Sequence, residues 1–374
     1  MNNFTHLEEW IKLSDDTKLN IYTETGRQFG LAAMPVEKDW WVMHTLSLVF
    51  TMECAPALIF KGGTSLSKGW NLIERFSEDI DLVMDKEYLG FSSIESKKDI
   101  HKLRLKSYEY LTTKFTDELK SKFLEVGLTD VVIKYHEVVN HDQDPMIIEI
   151  YYPKLTEKDD YIKPGVQIEV GCRSLKEPNS ARTFNSMVAQ KFAGRSFIDE
   201  PITIPTVNPE RTYLEKIFLL HEEFQRPAEK IRVDRLSRHL YDIEKLSKTE
   251  FARIAFKDAD LFNTIVAHRS KYNHLSGVDY TKHRQEMISF VPPTHLLPAW
   301  EADYKKMYDD YIYDEGKLLF PELIKRLAEL QTQINRIDWD RNEKNTIKRE
   351  STLVRLIHFL KRIFTIKKTV INAK

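Results

Sequence analysis

Near its N-terminus the chain alternates between helix-like and strand-like patterns of apolar residues. In residues 37–53 the apolar positions recur at helical spacing, which predicts a buried helix. Residues 57–60 form a short apolar run that ends in two glycines, which predicts a buried strand entering a tight turn. Helical spacing resumes in residues 64–76, and residues 80–83 return to strand character. The patterns therefore predict a helix, a strand, a helix and a strand in succession.

Further along, one long helix precedes a group of strands. Residues 97–126 have the charged, amphipathic pattern of a helix. Three β-type runs follow, at residues 131–139, 146–153 and 166–173. Residues 1–206 are therefore predicted to mix α and β structure around a small sheet.

After residue 206 the pattern becomes helical. Asn208, Pro209 and Glu210 make a good helix start, with a cap residue, a proline in the first turn and an acid near the positive end of the helix dipole. Beyond them helical periodicity continues, most clearly in residues 213–224, 233–246 and 317–335. We therefore expect two domains, at residues 1–206 and 207–374.

Composition narrows the class of protein. The most apolar window, residues 41–60, contains His44, Glu53 and Pro56, which a bilayer-spanning helix tolerates poorly. The acidic N-terminal segment lacks the apolar stretch of a signal peptide. Two cysteines are too few for a disulfide framework, which favours a reducing compartment. We therefore expect a cytoplasmic protein without a membrane segment.

The net charge of −1 hides a basic C-terminal tail. Residues 339–374 hold ten Lys or Arg against three Asp or Glu, with apolar residues at helical spacing between them. One interpretation is a surface helix that packs on the helical domain. The other is a contact with nucleic acid or another anionic surface, since Lys and Arg neutralise phosphates.

Candidate chemistry concentrates in residues 60–84. Asp79 and Asp81 point to the same face of a strand, where their repulsion makes it costly to ionise both. A divalent cation removes that cost, and Mg²⁺ binds carboxylates together with substrate phosphates. At Gly62 and Gly63, which lack Cβ atoms, main-chain N–H groups are able to approach phosphate oxygens closely. A glycine turn, a helix and an Asp-x-Asp strand together predict one phosphate and metal site.

These motifs resemble the nucleotidyltransferase fold of the DNA polymerase β superfamily. More narrowly, FKGGTSLSK followed by RFSEDIDL is similar to the AbiEii/AbiGii-type nucleotidyltransferase toxins of bacterial toxin–antitoxin and phage-defence systems. The resemblance implies an α+β fold: a polymerase β-like domain with a small mixed sheet and helices, then an all-helical C-terminal domain. It also implies Mg²⁺ or Mn²⁺ as the cofactor. The nucleotide-binding residues expected at the turn are Lys61, Gly62, Gly63, Thr64 and Ser65.

The superfamily usually adds a third carboxylate on a neighbouring strand. Two glutamates qualify, since Glu169 and Glu149 each lie between apolar residues of a predicted strand. Glu169 is the preferred candidate, and Glu149 remains open. We therefore expect Asp79, Asp81 and Glu169 to be catalytic and to bind the metal.

A second resemblance lies in the helical segment, where residues 208–246 are similar to a family motif of a lysine followed by an Arg–basic–x–x–Asp cluster. The catalytic residues that this similarity implies are Lys216 and Asp242, and the nucleotide-binding residues are Lys216, Arg235 and Arg238. Cationic groups of this kind neutralise triphosphate charge. His239 stands where the family more often has Asp. An ordinary surface salt bridge between Arg238 and Asp242 is the alternative.

Together these features predict a metal-dependent nucleotidyltransferase that moves a nucleoside monophosphate from an NTP to an acceptor hydroxyl. By resemblance the acceptor is the 3′ end of an RNA such as tRNA, and the role is that of a toxin with a cognate antitoxin. Two alternatives remain open. In the first alternative, the acceptor is a small molecule or a protein side chain. In the second, the chain is a catalytically silent nucleotide-binding module.

Overall fold

The structure, a computed structural model, describes most of the chain between Phe4 and Ile337. The described ranges are 4–94, 96–136, 145–157, 162–163, 165–172, 178–273 and 275–337. The basic tail predicted at residues 339–374 lies outside them.

The described strands form one seven-stranded mixed sheet. They are β1 (Leu58–Lys61), β2 (Asp79–Met84), β3 (Val132–Tyr135), β4 (Met146–Tyr151), β5 (Val166–Gly171), β6 (Asn179–Phe184) and β7 (Ile202–Val207). The order across the sheet is β3-β4-β5-β2-β1-β7-β6, so that β2 is the middle strand. It pairs antiparallel with β1 and parallel with β5. Alternate side chains of these strands face opposite sides of the sheet.

Seven α-helices lie among the described residues before residue 207, and most of them share an apolar core with this sheet. They are α1 (Thr5–Ile11), α2 (Asp15–Phe29), α3 (Ala33–Val49), α4 (Gly62–Thr64), α5 (Lys97–Tyr110), α6 (Thr116–Glu125) and α7 (Met187–Lys191). A π-helical turn, Ser65–Gly69, extends α4, and another, Leu111–Phe115, joins α5 to α6. The apolar side chains of α3 lie in the core with those of β1, β2, β4 and β5.

Six longer helices lie among the described residues after Val207. They are α8 (Pro209–Gln225), α9 (Ser237–Ser247), α10 (Glu250–Ala255), α11 (Ala259–Tyr272), α12 (Leu297–Asp310) and α13 (Phe320–Ile334). They surround a second apolar cluster, which also takes in Leu66, Ile73 and Phe76 from the segment between β1 and β2. The division into two domains at residue 206 stays a prediction.

Most of the predicted elements are present. The helix predicted at residues 37–53 is α3, which begins and ends four residues earlier, and the helix predicted at 97–126 is α5 and α6. The strands predicted around residues 57–60, 80–83, 131–139, 146–153 and 166–173 are β1 to β5. The helix start predicted at Asn208 is the N-terminus of α8.

Two predictions about elements were wrong. The helix predicted at residues 64–76 ends at Gly69, because Asn71 adopts a positive φ of 52° and the main chain of Phe76 then bonds to Tyr311. The sheet is also larger than expected, since β6 and β7 were not predicted. The side chains of β6 alternate between exposed and half-buried without an apolar pattern, which is typical of an edge strand.

No helix among the described residues is long and apolar enough to cross a membrane.

Candidate active site

Two neighbouring strands bring three carboxylates onto one face of the sheet. Asp81 of β2 lies directly opposite Glu169 of β5, and Asp79 precedes Asp81 by two residues. Because side chains alternate along a strand, all three point to the same side. The structure therefore brings together the three acidic residues that the sequence predicts to act together.

Glu149, the alternative third carboxylate, is placed elsewhere. It lies on β4 opposite Gln167 and accepts hydrogen bonds from Tyr151 Oη at 2.7 Å and Gln167 Nε2 at 3.0 Å. His136 Nε2 lies 2.9 Å from Glu149 Oε1. Glu149 does not line the cavity that the aspartates face. Of the two glutamates, only Glu169 lies beside Asp81.

Burial and mutual repulsion act on the carboxylate row. Burial, followed by repulsion from Asp81 and Asp79, raises the pKa of Glu169 to about 7. Burial also raises the pKa of Asp81; Lys61 opposes this increase and Asp79 adds to it. In addition, Asp79 Oδ1 is buried without a hydrogen-bond partner among the described residues. A cation would satisfy this oxygen and remove the repulsion.

These residues fit a metal that is held jointly with a substrate. In the described part of the chain, no three His, Cys, Asp or Glu side chains are arranged to hold a metal ion by themselves. Mg²⁺ does not require such a cage, since it is usually bound by one or two carboxylates together with substrate phosphates and water. Asp79 and Asp81, with Glu169 on the adjoining strand, offer carboxylates for such a shared site.

The glycine turn packs directly against the carboxylates. Gly62 has a φ of 78°, and a Cβ atom there would lie 1.8 Å from Asp81 Oδ2. A Cβ atom at Gly63 would lie 2.7 Å from Ser77 Oγ and 3.0 Å from Arg75 Nη2. Gly62 therefore has no room for a side chain, and one at Gly63 would have to displace Ser77 Oγ. Both glycines therefore allow the turn to reach the carboxylates, and both line the cavity.

The hydroxyls of Thr64 and Ser65 are used inside the protein. Thr64 Oγ1 donates to the main-chain carbonyl of Asp79 at 2.6 Å, and Ser65 Oγ donates to the carbonyl of Gly62 at 2.9 Å. Both residues are buried, and neither lines the cavity. The structure thus places their side chains behind the turn, where they hold it against β2.

Opposite the sheet, α8 and α9 supply a wall of charged groups fixed by Asp242. Arg75 donates to both carboxylate oxygens of Asp242, at 2.7 and 2.8 Å, and Lys216 Nζ lies 2.8 Å from Oδ2. Burial alone would raise the pKa of Asp242, but the two cations outweigh it and hold this pKa well below its usual range. Asp242 is fully buried, whereas Arg75 and Lys216 line the cavity.

The other predicted residues of α9 and the loop before it divide into two groups. Arg238 Nη1 lies 3.6 Å from Asp79 Oδ2, and Arg238 and His239 both line the cavity. Arg235 does not: its side chain forms an ion pair with the buried Glu78, and its main-chain N–H donates to Asp303 Oδ1 at 2.7 Å. The structure therefore brings Arg238 to the carboxylates and leaves Arg235 outside the cavity.

A cavity of about 440 Å³ lies between the sheet and α8 and α9, and it is lined by the two glycines, the three carboxylates, Arg75, Lys216 and Arg238. Sequence reasoning missed several described residues that line it: Arg75, Ser77, Thr212, Glu215, Leu219, Arg232, Leu236 and Arg269. Arg75 had a signal, because it lies four residues before Asp79, but its partner Asp242 is distant in sequence. Arg269, on α11, had none, since only the fold carries that helix to the site.

Comparisons with known proteins place the chain in a family. Among curated proteins none matches it. Among solved structures it is similar to MenT4, a nucleotidyltransferase toxin from Mycobacterium tuberculosis H37Rv, with 16% identity over 87% of this chain and 100% of that chain. The TM-score of 0.40 is too low for that likeness to carry an argument. Residues 49–336 match the family model described as nucleotidyl transferase AbiEii toxin, type IV TA system. Since this match covers well over half of the sequence, the chain belongs to the AbiEii family of nucleotidyltransferase toxins.

Proposed function

We propose that this nucleotidyltransferase moves a nucleoside monophosphate from an NTP to the 3′-terminal hydroxyl of an RNA, with tRNA as the first candidate, and that it requires Mg²⁺ or Mn²⁺. One observation carries the proposal. Asp79, Asp81 and Glu169 face Lys216 and Arg238 across a single cavity. Nucleotidyl transfer needs both groups, acidic ones to hold the metal and cationic ones to hold the triphosphate.

The triphosphate lies between the glycine turn and the helical wall. Main-chain N–H groups at Gly62 and Gly63 approach its oxygens, and Lys61, Lys216 and Arg238 neutralise its charge. Burial lowers the pKa of Lys216, and the adjacent carboxylate of Asp242 opposes that change. Asp242 is a positioning residue here, because Arg75 and Lys216 occupy both of its oxygens.

Asp79, Asp81 and Glu169 would hold the metal. When bound, it supplies charge that stabilises the attacking and leaving oxygens of an in-line displacement. The acceptor oxygen forms a bond to the α-phosphorus while the bond from that phosphorus to the pyrophosphate oxygen breaks. The acceptor proton passes to the carboxylate of Glu169, which lies next to Asp81 on the adjoining strand. The products are the extended acceptor and pyrophosphate.

The biological role follows from modification of an essential RNA. A tRNA with an altered 3′ end no longer supports translation, and its loss arrests growth. We propose that the protein acts in this way in the cytoplasm, that a cognate antitoxin counteracts it, and that the pair serves in defence against phage. The excess of Lys and Arg in residues 339–374 supports an anionic partner.

The test is transfer of label from each of the four NTPs to total cellular RNA, with and without EDTA. We expect labelled RNA only with divalent metal, and a loss of at least a hundredfold in Asp79→Asn and Asp81→Asn. Asp309→Asn, at an exposed position of α12, is the matched control and keeps full activity. RNA labelling as strong in Asp79→Asn and Asp81→Asn as in wild type would contradict the assignment of the site. Label that appears only on protein or on a small molecule would overturn RNA as the acceptor.

A further inference from the structure

A second, smaller cavity adjoins the first along the sheet. It measures about 150 Å³, and both cavities are lined by Lys61, Asp81, Glu169, Glu215 and Arg269. The larger cavity lies on the Asp79 side of this shared group. The smaller one continues past it, to Leu82 of β2 and Gly171 of β5. Because β2 and β5 run parallel, the carboxylates mark the junction between the two spaces.

The chemistry gives each space a different role. An in-line displacement places the attacking and leaving oxygens on opposite sides of the phosphorus atom. The glycine turn and the cations for the triphosphate lie in the larger cavity, so the leaving pyrophosphate belongs there. The smaller cavity is left for the acceptor.

Size limits what part of the acceptor enters. A cavity of 440 Å³ falls within the usual range for small-molecule sites, about 300–1,000 Å³. The smaller cavity, of about 150 Å³, falls below that range. It therefore admits a terminal group such as one sugar ring, while the rest of the acceptor stays outside.

The wall of the smaller cavity is formed by the last turns of α11. His268, Arg269 and Asn273 line it, together with Pro145 before β4. Two bonds from Arg269 to Glu222, each of 2.6 Å, fix this end of the helix. The His268 ring packs on Tyr272, with their centroids 4.5 Å apart.

This lining suits the end of a single-stranded nucleic acid. Flat rings such as that of His268 stack on unpaired bases, and an amide such as Asn273 both donates and accepts hydrogen bonds. A sugar in the cavity and a base on His268 together describe a terminal nucleotide.

We propose that the smaller cavity binds the 3′-terminal ribose of the RNA acceptor, with its base stacked on His268 and hydrogen-bonded by Asn273. This assignment rests on the proposed transfer to RNA and adds the residues that select the acceptor. The terminal 3′-hydroxyl then lies at the junction, beside Glu169 and Asp81.

The test separates acceptor binding from NTP binding. In His268→Ala we expect the KM for RNA to rise about tenfold or more, as loss of one stacked base implies. The KM for the NTP stays within about twofold of wild type. His268→Phe restores a stacking ring and brings the KM for RNA back to within about threefold. Asn273→Ala raises the KM for RNA independently of His268, and His295→Ala, at an exposed position, is the control.

Three results would overturn the assignment. They are an unchanged KM for RNA in both His268→Ala and Asn273→Ala, a parallel rise in the KM for the NTP, and a His268→Phe variant as impaired as His268→Ala. If His268→Ala does not fold, the KM values for RNA of His268→Phe and Asn273→Ala decide the assignment. Failure of the proposed function looks different, because wild-type protein then labels no RNA at all. If wild-type protein labels RNA and both variants keep its KM for RNA, the proposed function stands and only the assignment of the acceptor site is wrong.

Discussion

At the scale of single residues, the site depends on how closely the main chain approaches a carboxylate. A side chain at Gly62 would overlap the carboxylate of Asp81. The φ of Gly62, 78°, is also one that L-residues avoid. Glycine is therefore required twice at this position, for the direction of the chain and for the room it leaves.

Replacement of Gly62 by alanine would displace the carboxylate. We expect activity to fall on the order of a hundredfold, because a shift of about 1 Å in a catalytic group has that effect. The positive φ adds a loss of stability of roughly 1–2 kcal/mol. Gly90→Ala is the matched control, since Gly90 has a φ of 90° and no atom lies within 4 Å of the added Cβ. It would lose similar stability and keep its activity; equal activity in both variants would contradict the argument.

The raised pKa of Glu169 makes the stability of the metal-free protein depend on pH. A carboxyl whose pKa rises from 4.5 to about 7 on folding costs stability above pH 4.5, and the full cost is reached above pH 7. Glu169→Gln removes the charge. We therefore expect the variant to be more stable than wild type at pH 8, on the order of 3 kcal/mol, and equal to it near pH 4.5.

Glu149→Gln is the control for this prediction and should behave in the opposite way. Burial alone would raise the pKa of Glu149, but hydrogen bonds from His136, Tyr151 and Gln167 lower it overall. Its charge therefore stabilises the fold above its unfolded pKa, and the variant should lose stability at pH 8. Thermal unfolding in EDTA at both pH values measures the two effects. A Glu169→Gln protein no more stable than wild type at pH 8 would sink the prediction.

At the scale of elements, α8 and α9 are joined through one buried carboxylate. Asp242 on α9 holds Lys216 on α8 and Arg75 on the segment before β2. Three separate pieces of chain thus meet at one side chain. Their geometry at the cavity depends on it.

Loss of that carboxylate should destabilise the fold as well as reduce activity. Asp242→Asn leaves two buried cations without a counter-charge, and removal of one partner from a buried ion pair costs about 3–5 kcal/mol. We expect a fall in Tm and a lower kcat. Asp309→Asn breaks an exposed pair with Lys305 and is worth less than about 1 kcal/mol. Equal Tm values for the two variants would show that the buried network is not what holds α8 and α9.

Local patterns explain which elements were predictable. The apolar residues of β2 and β5 identify them as buried strands, and the shared face of Asp79 and Asp81 follows from the period of a strand. The end of the π-helical turn at Gly69 was not predictable in this way. Ile73 and Phe76 carry apolar spacing because they pack on the second cluster, without being helical. The spacing of apolar residues indicates which side chains are buried. Whether the backbone there is helical depends on long-range contacts.

The same limit applies to the site. The Asp-x-Asp strand was found because paired carboxylates inside an apolar strand are conspicuous. Glu169 was proposed because the resemblance implies a third carboxylate, and the strand pattern alone left Glu149 as an alternative. Lys216 and Arg238 came from the family resemblance. The inward hydroxyls of Thr64 and Ser65 could not be foreseen, since a turn leaves the rotation of each hydroxyl to its tertiary neighbours.

At the scale of the whole molecule, buried ion pairs join the sheet to the helical segment. Glu78, next to Asp79, contacts Lys38 of α3 and Arg235 of the loop before α9. Arg235 adopts a positive φ of 59°, a strained conformation for a non-glycine residue. Its ion pair with Glu78 and its main-chain bond to Asp303 hold it in this conformation. Arg238, which lines the cavity, lies three residues further along the chain.

Removal of the Glu78 charge should loosen this connection. In Glu78→Gln we expect a loss of about 3–5 kcal/mol, since two cations lose their partner. The KM for the NTP should rise, because Arg238 is then less well placed. Thermal unfolding and NTP titration measure the two effects, with Glu87→Gln at an exposed position as the control. A variant with normal stability and a normal KM would mean that other contacts hold the loop.

The position of β2 in the middle of the sheet has a consequence for how long the enzyme lasts. Edge strands such as β3 and β6 are free to open locally, but the amides of Asp81 and Glu169 are protected until the centre of the sheet separates. Hydrogen–deuterium exchange at these amides should therefore occur only with global unfolding. The core of the site should therefore persist for as long as the sheet stays folded.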